Sequence, residues 1–223
     1  MSSVLLFRQR RDPAPVLELP NLVKRIEAGE RIVSVDEEQF EEYDIQINRV
    51  KSVNAWVPIM EGCNNFCSYC IVPYVRGRER SRRSEDIISE CRSLVSSGVK
   101  EITLLGQNVN SYKADISFPE LLRRIAEIDG DFIIRFMTSH PKDTSSELVR
   151  VMKEHNPKIA PFFHLPLQSG SNKILKDMNR TYTREKYLGI VDELKENIPS
   201  IALSTDIIIG FPNESDDDFA DTM

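Results

Sequence analysis

From residue 53 onward, short apolar segments alternate with amphipathic ones in a regular way. The apolar segments have the length and near-continuous hydrophobicity of strands buried on both faces, and the amphipathic ones have helical spacing. This alternation predicts an α/β fold in which a parallel sheet is covered by helices. The predicted strands are AWVPIM (55–60), EITLLG (101–106), FIIRFM (132–137), PFFHLPL (161–167) and IALSTDIIIG (201–210).

Each of the first three predicted helices has a start signal in the sequence. A small hydroxyl residue precedes an acidic first turn, which is the pattern of an N-cap followed by residues that favour the helix dipole. The predicted starts are Ser84 for a helix over 85–96 that stops at Gly98, Ser117-x-x-Glu120, and Thr144-x-x-Glu147. Further helical patterns lie around Ile174 and over 184–197.

The first fifty residues do not follow this alternation. They contain a short helical pattern over 19–28 that ends at Gly29, and an apolar stretch over 32–35 that predicts a strand. The acidic run at 36–44 is expected to be an exposed linker. Because this region has little apolar surface, we expect it to pack on a neighbour or to be part of a truncated domain.

Polar residues cluster where the predicted strands end. In parallel sheets and barrels the carboxyl ends of the strands share one edge, and that edge is where enzymes of these folds place their sites. Four clusters in succession therefore predict a ligand-binding mouth. They are Gln107, Asn108 and Asn110; Thr138, Ser139 and His140; Gln168, Ser169 and Ser171; and Thr205, Asp206 and Glu214.

Composition narrows the class of protein. The chain of 223 residues is 40% hydrophobic and 29% charged, and no apolar run approaches the length of a membrane span. Its net charge is −6, but the runs at 36–44 and 214–221 hold eleven acids and no base, so the remainder carries +5. Five arginines and one glutamate lie between Arg76 and Arg83. Such a run is either a solvated loop or a phosphate-binding surface.

Three of the four cysteines lie within eight residues, as Cys63-x3-Cys67-x2-Cys70. Thiolates at this spacing indicate zinc or an iron–sulfur cluster in a reducing compartment, so we expect a cytoplasmic protein. Structural zinc usually has four ligands, whereas three thiolates leave one iron of a [4Fe–4S] cluster open. Cys91 lies on the apolar face of a predicted helix and is expected to be a buried hydrophobe. The three histidines, His140, His155 and His164, remain candidates to complete a zinc site.

The cysteine motif, with Tyr69 before the third cysteine, resembles the radical S-adenosylmethionine superfamily. Longer strings resemble its methylthiotransferase family, most closely the MiaB-type members that modify tRNA. They are GCNNFCSYCIVPYVRGRERSRR, EITLLGQNVNSY, FMTSHP, FHLPLQSGSNKIL and STDIIIGFPNES. The resemblance is specific over about 55–223 and weak before that. It implies a partial (β/α)6 barrel.

The resemblance also implies cofactors and site residues. Cys63, Cys67 and Cys70 would hold a [4Fe–4S] cluster whose open iron chelates S-adenosylmethionine, and one electron from the cluster would cleave it to a 5′-deoxyadenosyl radical. Electrons would come from a flavodoxin or ferredoxin. The residues expected around S-adenosylmethionine are Tyr69, Gln107, Gln168, Ser169, Asp206 and Glu214.

The family's MiaB-type members attach a methylthio group to carbon 2 of an isopentenyl-modified adenosine beside the tRNA anticodon. The basic run would then contact RNA phosphates. Its arginines are Arg76, Arg78, Arg80, Arg82 and Arg83. Alternatives within the family act on threonylcarbamoyl-adenosine or a ribosomal protein. A non-catalytic RNA-binding module that keeps a metal is the alternative from another class.

The chain departs from the family at both ends. No cysteine precedes Cys63, so the family's second cluster, in an N-terminal domain, has no ligands here. We therefore expect residues 1–50 to be the tail of that methylthiotransferase domain and 51–223 to be the radical core, truncated before its sixth strand and before a small β-rich RNA-binding domain. The full-length protein is expected to be a monomer without membrane segments.

Overall fold

Five parallel strands follow one another in chain order between residues 54 and 204. The structure is a computed structural model that describes residues 6–7, 14–34 and 52–223. The strands of this part, with two short pairs beside them, are β1 (Leu6–Phe7), β2 (Val33–Ser34), β3 (Asn54–Pro58), β4 (Met60–Glu61), β5 (Arg80–Ser81), β6 (Glu101–Leu105), β7 (Ile133–Phe136), β8 (Phe162–His164) and β9 (Ala202–Ser204).

Helices connect successive strands of the sheet. The longer ones cross from one strand to the next, and two single 3₁₀ turns, Val109–Ser111 and Pro141–Asp143, follow β6 and β7. The helices are α1 (Ala14–Glu27), α2 (Val72–Val75), α3 (Ser84–Ser96), α4 (Phe118–Ala126), α5 (Ser146–Glu154), α6 (Asn172–Asp177), α7 (Arg184–Asn197) and α8 (Asp216–Thr222).

The strand order of the sheet is the order of the sequence. β6 lies between β3 and β7, with Ala55 opposite Ile102 and Ile102 opposite Ile134. A single parallel bridge from Ile134 to Ile159 continues the wall towards β8, which pairs in parallel with β9. Parallel strands in sequential order, with helices in every connection, form the wall of a (β/α) barrel. The predicted α/β class with a partial barrel is therefore confirmed.

The core lies between this wall and the helices. Phe136 of β7 makes edge-to-face contacts with Phe118 of α4 at 5.3 Å and with Phe163 of β8 at 5.4 Å between ring centroids. All three rings are buried. This arrangement allows positive ring edges to meet negative ring faces, so the aromatic chain stabilises the junction of the two sheet segments beyond its area burial.

Two predicted helix starts are wrong by one residue. Ser84 is the first residue of α3 rather than its N-cap; its backbone N–H and hydroxyl both donate to the carboxylate of Asp115, which lowers the pKa of that carboxyl. The cap of α5 is Ser145, which accepts from the N–H of Leu148. Thr144 instead donates its hydroxyl to the carbonyl of His140, the N-cap of the preceding 3₁₀ turn, and accepts from the side-chain amide of Asn110. Both hydroxyls bond to side chains that are distant in sequence, Asp115 and Asn110, and so do not cap the helices.

The sequence predicted several other helix boundaries correctly. Ser117 caps α4, and α7 spans Arg184–Asn197. Gly98 has a φ of 96° just beyond α3, as a helix stop requires. The last strand is much shorter than predicted, since β9 covers Ala202–Ser204 and only Ile207 adds a further parallel bridge, to Gln168.

The N-terminal part is a small parallel pair. β1 and β2 pair directly, and α1 connects them in the sequence. α1 begins at Ala14 rather than at the predicted Leu19. Leu22 and Ile32 are buried. The acidic run at 36–44 lies outside the described residues. In the described part of the chain, no helix is long and apolar enough to cross a membrane.

Candidate functional site

The three cysteines lie in a closed loop that follows β3, the first strand of the sheet. The antiparallel pair of β4 and β5 joins Glu61 to Arg80 and so forms the base of the loop. Gly62 has a φ of 75°, and a β-carbon there would overlap the carbonyl of Arg78. The N–H of Cys63 donates to the carbonyl of Gly77 at 3.1 Å. Glycine is therefore required at the base, where the two ends of the loop meet.

The three thiols of this loop influence one another. Cys63 and Cys67 are buried, and Cys70 is partly exposed. Burial raises the pKa of the Cys63 thiol, opposed by a hydrogen bond from the Asn65 backbone and reinforced by the charges of Cys67 and Cys70. The thiols are therefore close enough to affect each other electrostatically, and mutual repulsion disfavours three free thiolates here.

The donor set of the cysteine loop suits a soft metal centre. Within residues 6–7, 14–34 and 52–223, no three His, Cys, Asp or Glu side chains converge as ligands of one metal ion. A zinc ion needs its sulfur ligands about 2.3 Å from one point, whereas the thiolates of a [4Fe–4S] cluster bind separate irons. Three soft sulfur donors on one loop therefore fit a [4Fe–4S] cluster by their chemistry, since such a cluster does not need a fourth protein ligand.

Unpartnered polar atoms surround the same edge of the sheet. Among the described residues, four buried side-chain atoms have no hydrogen-bond partner. Three belong to residues just after the end of β6 or β7, and the fourth belongs to a residue in the loop after β9. They are Gln107 Oε1, Asn108 Oδ1, Ser139 Oγ and Glu214 Oε1. Buried polar atoms are nearly always paired in native structures. We call this carboxyl edge of the sheet, with its loops, the rim. Four unpartnered atoms at the rim, mostly acceptors, indicate a site for a ligand that carries N–H and O–H donors.

Backbone strain is concentrated at the same rim. Among the described residues, five residues other than glycine have positive φ, and all are in the cysteine loop or in loops at this edge: Phe66, Thr138, Gln168, Asn179 and Asn213. Thr138 is the most unusual because a β-branched residue rarely adopts a φ of 65°; its hydroxyl donates to the carbonyl of Gly106 at 2.5 Å. Strain of this kind persists where a function requires it.

The remaining predicted cofactor residues are placed differently from one another. Gln168 is buried, and its backbone bonds to the strand end at Asp206 and Ile208. Ser169 is buried, and its hydroxyl accepts from the N–H of Ser171 at 3.1 Å. Ser169 therefore serves the loop itself. Glu214 accepts from the N–H of Gly210 with one oxygen and leaves the other unpartnered.

Of the three histidines, two lie at the rim. His164 Nε2 lies 3.3 Å from the carboxylate of Asp206, and its Nδ1 lies 2.8 Å from the Ser204 hydroxyl. His140 is buried, and its Nδ1 accepts from the N–H of Lys142. His155 lies at the end of α5, away from the rim. None of them joins a metal-binding group in the described part of the chain.

The five arginines of the basic run project from the end of the cysteine loop and from β5. Arg80 pairs with Glu61 at 3.3 Å, and Arg82 pairs with Glu90 at 2.9 Å. The Arg78 guanidinium lies 4.6 Å from the centre of the Phe66 ring. Arg76 and Arg83 are exposed. The run is therefore a basic surface adjoining the cysteines, with two of its members already held by carboxylates.

One residue of this site was missed by the sequence analysis. Arg180 follows α6 and is only 8% exposed. Its Nη1 donates to the Sγ of Cys67 at 3.6 Å and to the hydroxyl of Tyr69 at 3.4 Å. The half-exposed Tyr69 and the thiol of Cys67 therefore share this guanidinium. An arginine 110 residues along the chain gives no local signal; only the burial of a residue type that is usually exposed reveals it.

Comparison with known proteins places this rim in a family context. The model of the radical SAM superfamily matches residues 57–223. The chain is 51% identical over 212 residues to the tRNA-2-methylthio-N(6)-dimethylallyladenosine synthase of Carboxydothermus hydrogenoformans, covering 92% of this chain and 48% of the relative. It is 58% identical over 183 residues to the synthase of that name from Clostridium perfringens, covering 80% and 41%. The chain thus spans about half the length, or less, of these curated relatives.

Solved structures share the fold at low identity. The cobalamin-dependent S-adenosylmethionine radical enzyme OxsB matches with a TM-score of 0.61 and 14% identity, over 75% of this chain and 25% of that one. The radical S-adenosylmethionine methyltransferase TsrM from Kitasatospora setae, solved with cobalamin and a [4Fe–4S] cluster, also has a TM-score of 0.61, at 17% identity over 73% and 32%. At this level of identity, the likeness concerns the fold alone.

Proposed function

The chain belongs to the radical S-adenosylmethionine superfamily, and we propose that it is the catalytic core of a tRNA methylthiotransferase that modifies isopentenyl-adenosine at carbon 2. The observation that carries the proposal is the closed loop holding Cys63, Cys67 and Cys70 beside a rim of buried, unpartnered acceptors. In this proposal residues 51–223 form the radical core, and residues 1–50 belong to a preceding methylthiotransferase domain.

The cysteines would hold the cluster by three thiolates. A bound [4Fe–4S] cluster supplies the electron that cleaves S-adenosylmethionine reductively. The loop contributes a buried position for Cys63 and Cys67, which keeps water from two of the ligands. Ligation also removes the protons that burial favours on the Cys63 thiol, so loading of the site releases protons.

The rim would bind the rest of S-adenosylmethionine. The side-chain oxygens of Gln107 and Asn108 accept hydrogen bonds, as an ammonium group requires. The free oxygen of Glu214 and the hydroxyl of Ser139 suit ribose hydroxyls or an adenine amine. Tyr69, Gln168 and Asp206 lie around the same edge. These contacts orient the sulfonium towards the cysteines, which is the contribution a protein makes to cofactor chemistry.

The first test is metal and cofactor turnover after anaerobic reconstitution. We expect about four irons and four sulfides per chain, and formation of 5′-deoxyadenosine from S-adenosylmethionine with a chemical reductant. A variant with Cys63, Cys67 and Cys70 all replaced by alanine should lose both. Cys91→Ala is the matched control, because Cys91 is buried in the core and away from the loop. Zinc in place of iron, or equal iron in the wild type and the triple variant, would contradict the proposal.

The second test concerns the basic surface. Each arginine that neutralises a phosphate lowers the slope of log K against log salt by about 0.7 to 0.9 when it is removed. Replacing the exposed Arg76 and Arg83 by glutamine should therefore weaken tRNA binding at low salt and flatten its salt dependence. Arg150→Gln, on the outer face of α5, is the control, since it pairs only with neighbouring glutamates. An unchanged salt slope would remove the surface from the RNA interface.

A further inference from the structure

Arg180 is a buried cation that forms no ion pair with a carboxylate among the described residues. It is 8% exposed, and within residues 52–223 none of the ion pairs involves it. Besides its two contacts near the cysteines, its Nη2 donates to the carbonyl of Pro166 at 2.8 Å and its Nε to the hydroxyl of Tyr182 at 2.8 Å. These partners are neutral. A buried charge is costly unless an opposite charge accompanies it. In the described part of the chain no carboxylate supplies that counter-charge to Arg180.

Among the described hydrogen-bond partners of Arg180, Cys67 is the one that a bound cluster would make anionic. Nη1 lies 3.6 Å from the Sγ of Cys67. A thiolate is a far better acceptor than a thiol, and three thiolates around a [4Fe–4S] core give the ligated group a net negative charge. The bond from Arg180 to Cys67 is therefore the kind of outer contact that tunes a metal centre through its ligand.

The connection that carries Arg180 also holds the backbone of the cysteine loop. Ser68 donates its N–H to the carbonyl of Met178 at 3.1 Å and its hydroxyl to that of Asp177 at 2.9 Å. The side chain of Asn179, which has a φ of 56°, donates to the carbonyls of Asn65 and Phe66. Six hydrogen bonds in all, with the two from Arg180 to Cys67 and Tyr69, thus join residues 177–180 to the loop. These bonds hold the loop at residues before and after Cys67, so they fix the position of the guanidinium relative to Cys67.

We propose that Arg180 is a positioning residue for the cluster, which serves as its counter-charge and whose one-electron reduced state it stabilises through the hydrogen bond to Cys67. This inference rests on the proposed function, because it requires a cluster on the three cysteines. On reduction, one electron from a soluble one-electron donor enters the cluster, no bond is broken, and the net charge becomes more negative by one unit. A neighbouring positive charge favours that product.

The test is the reduction potential of the reconstituted chain, measured by electron paramagnetic resonance across a series of poised potentials. The positive charge and hydrogen bond of Arg180 stabilise the reduced, more negative state more than the oxidised one, so Arg180→Gln should make reduction about tenfold less favourable, a shift of about 59 mV to more negative potential for one electron. Arg180→Lys keeps the charge but has one nitrogen in place of a fork, and should shift the potential less, in the same direction. Arg184→Gln, which removes an arginine bonded to Asp221, is the control.

The outcomes separate this inference from the proposed function. If the wild type holds no cluster, the proposed function fails and takes the inference with it. If the wild type holds a cluster and both Arg180 variants keep its potential, the inference alone is overturned. A glutamine variant that keeps the wild-type circular dichroism but loses iron, while Arg184→Gln retains it, supports the positioning role. If the glutamine variant does not fold, an unchanged potential in the lysine variant overturns the inference.

Discussion

The sheet with its outer helices and the rim at its carboxyl edge follow opposite rules. In the body, apolar side chains such as Leu104 and Phe163 are fully buried. The rim contains all the unpartnered buried side-chain atoms found in the described part of the chain, from Gln107 to Glu214. The non-glycine residues with positive φ in that part of the chain also lie at the rim or in the cysteine loop. The body follows most local preferences of its sequence, whereas the rim violates several at once.

This difference teaches where stability has been given up. Each unpartnered buried polar atom costs about 1–3 kcal/mol, and each strained residue costs a similar amount. A rim that bound nothing would gain from losing these features. Their concentration beside the cysteines indicates that a ligand recovers part of that free energy on binding. The comparison can therefore be tested by matched substitutions in the two regions.

The largest difference is expected between two glycines. Gly62→Ala places a β-carbon against the carbonyl of Arg78 at a φ of 75°, whereas the same change at Gly98 meets no atom within 4 Å at a φ of 96°. Positive φ alone costs alanine about 1–2 kcal/mol. We therefore expect Gly98→Ala to lower the free energy of unfolding by that amount and Gly62→Ala by about 3 kcal/mol or more, in urea denaturation.

Iron loading distinguishes the two glycine variants a second time. Gly98→Ala should bind the cluster normally, because its turn is far from the cysteines along the sheet. Gly62→Ala should load poorly, since the base of the loop has to open to admit the methyl group. Equal stability and equal iron content in both variants would show that the loop base is not a constrained part of the site.

The next effect concerns a histidine that belongs to both regions. Burial, and then the charges of Arg180, Lys142 and Lys186, lower the pKa of His140 to about 2. The unfolded chain takes up this proton near pH 6.5 but the folded chain does not, so stability is lost as the pH falls below 6.5. Between pH 7 and pH 5 this amounts to about 2 kcal/mol.

Chemical denaturation at the two pH values measures the loss. His140→Asn supplies an amide oxygen in place of Nδ1 for the N–H of Lys142 and has no titrating group. We expect the variant to be less stable at pH 7 but to lose about 2 kcal/mol less than the wild type on acidification. A parallel pH dependence in both proteins would mean that His140 is protonated in the folded state.

The same division decides what the sequence predicts. Capping at Ser117, the helix over 184–197 and all five sheet strands followed from periodicity and local propensity, because the body obeys them. Ser84 and Thr144 were assigned wrongly because side chains distant in sequence bind them. At the site, the spacing of the cysteines was visible in the sequence. Arg180 was not, since it is defined by contacts about 110 residues away.

The smallest effect on stability is expected at the rim itself. Ser139 is buried with no partner for its hydroxyl, whereas the equally buried Ser171 donates to Asp218 at 2.6 Å and caps α6. Removing an unpaired hydroxyl relieves its desolvation cost, so Ser139→Ala should leave the free energy of unfolding unchanged or raise it by up to about 1 kcal/mol. Ser171→Ala should lower it by about 1–2 kcal/mol.

With the cluster in place, Ser139→Ala should weaken S-adenosylmethionine binding about tenfold, the equivalent of one hydrogen bond, in isothermal titration calorimetry. If Ser139→Ala is instead as destabilising as Ser171→Ala and binds S-adenosylmethionine like the wild type, the hydroxyl is a structural group, and the rim does not hold free acceptors for a ligand.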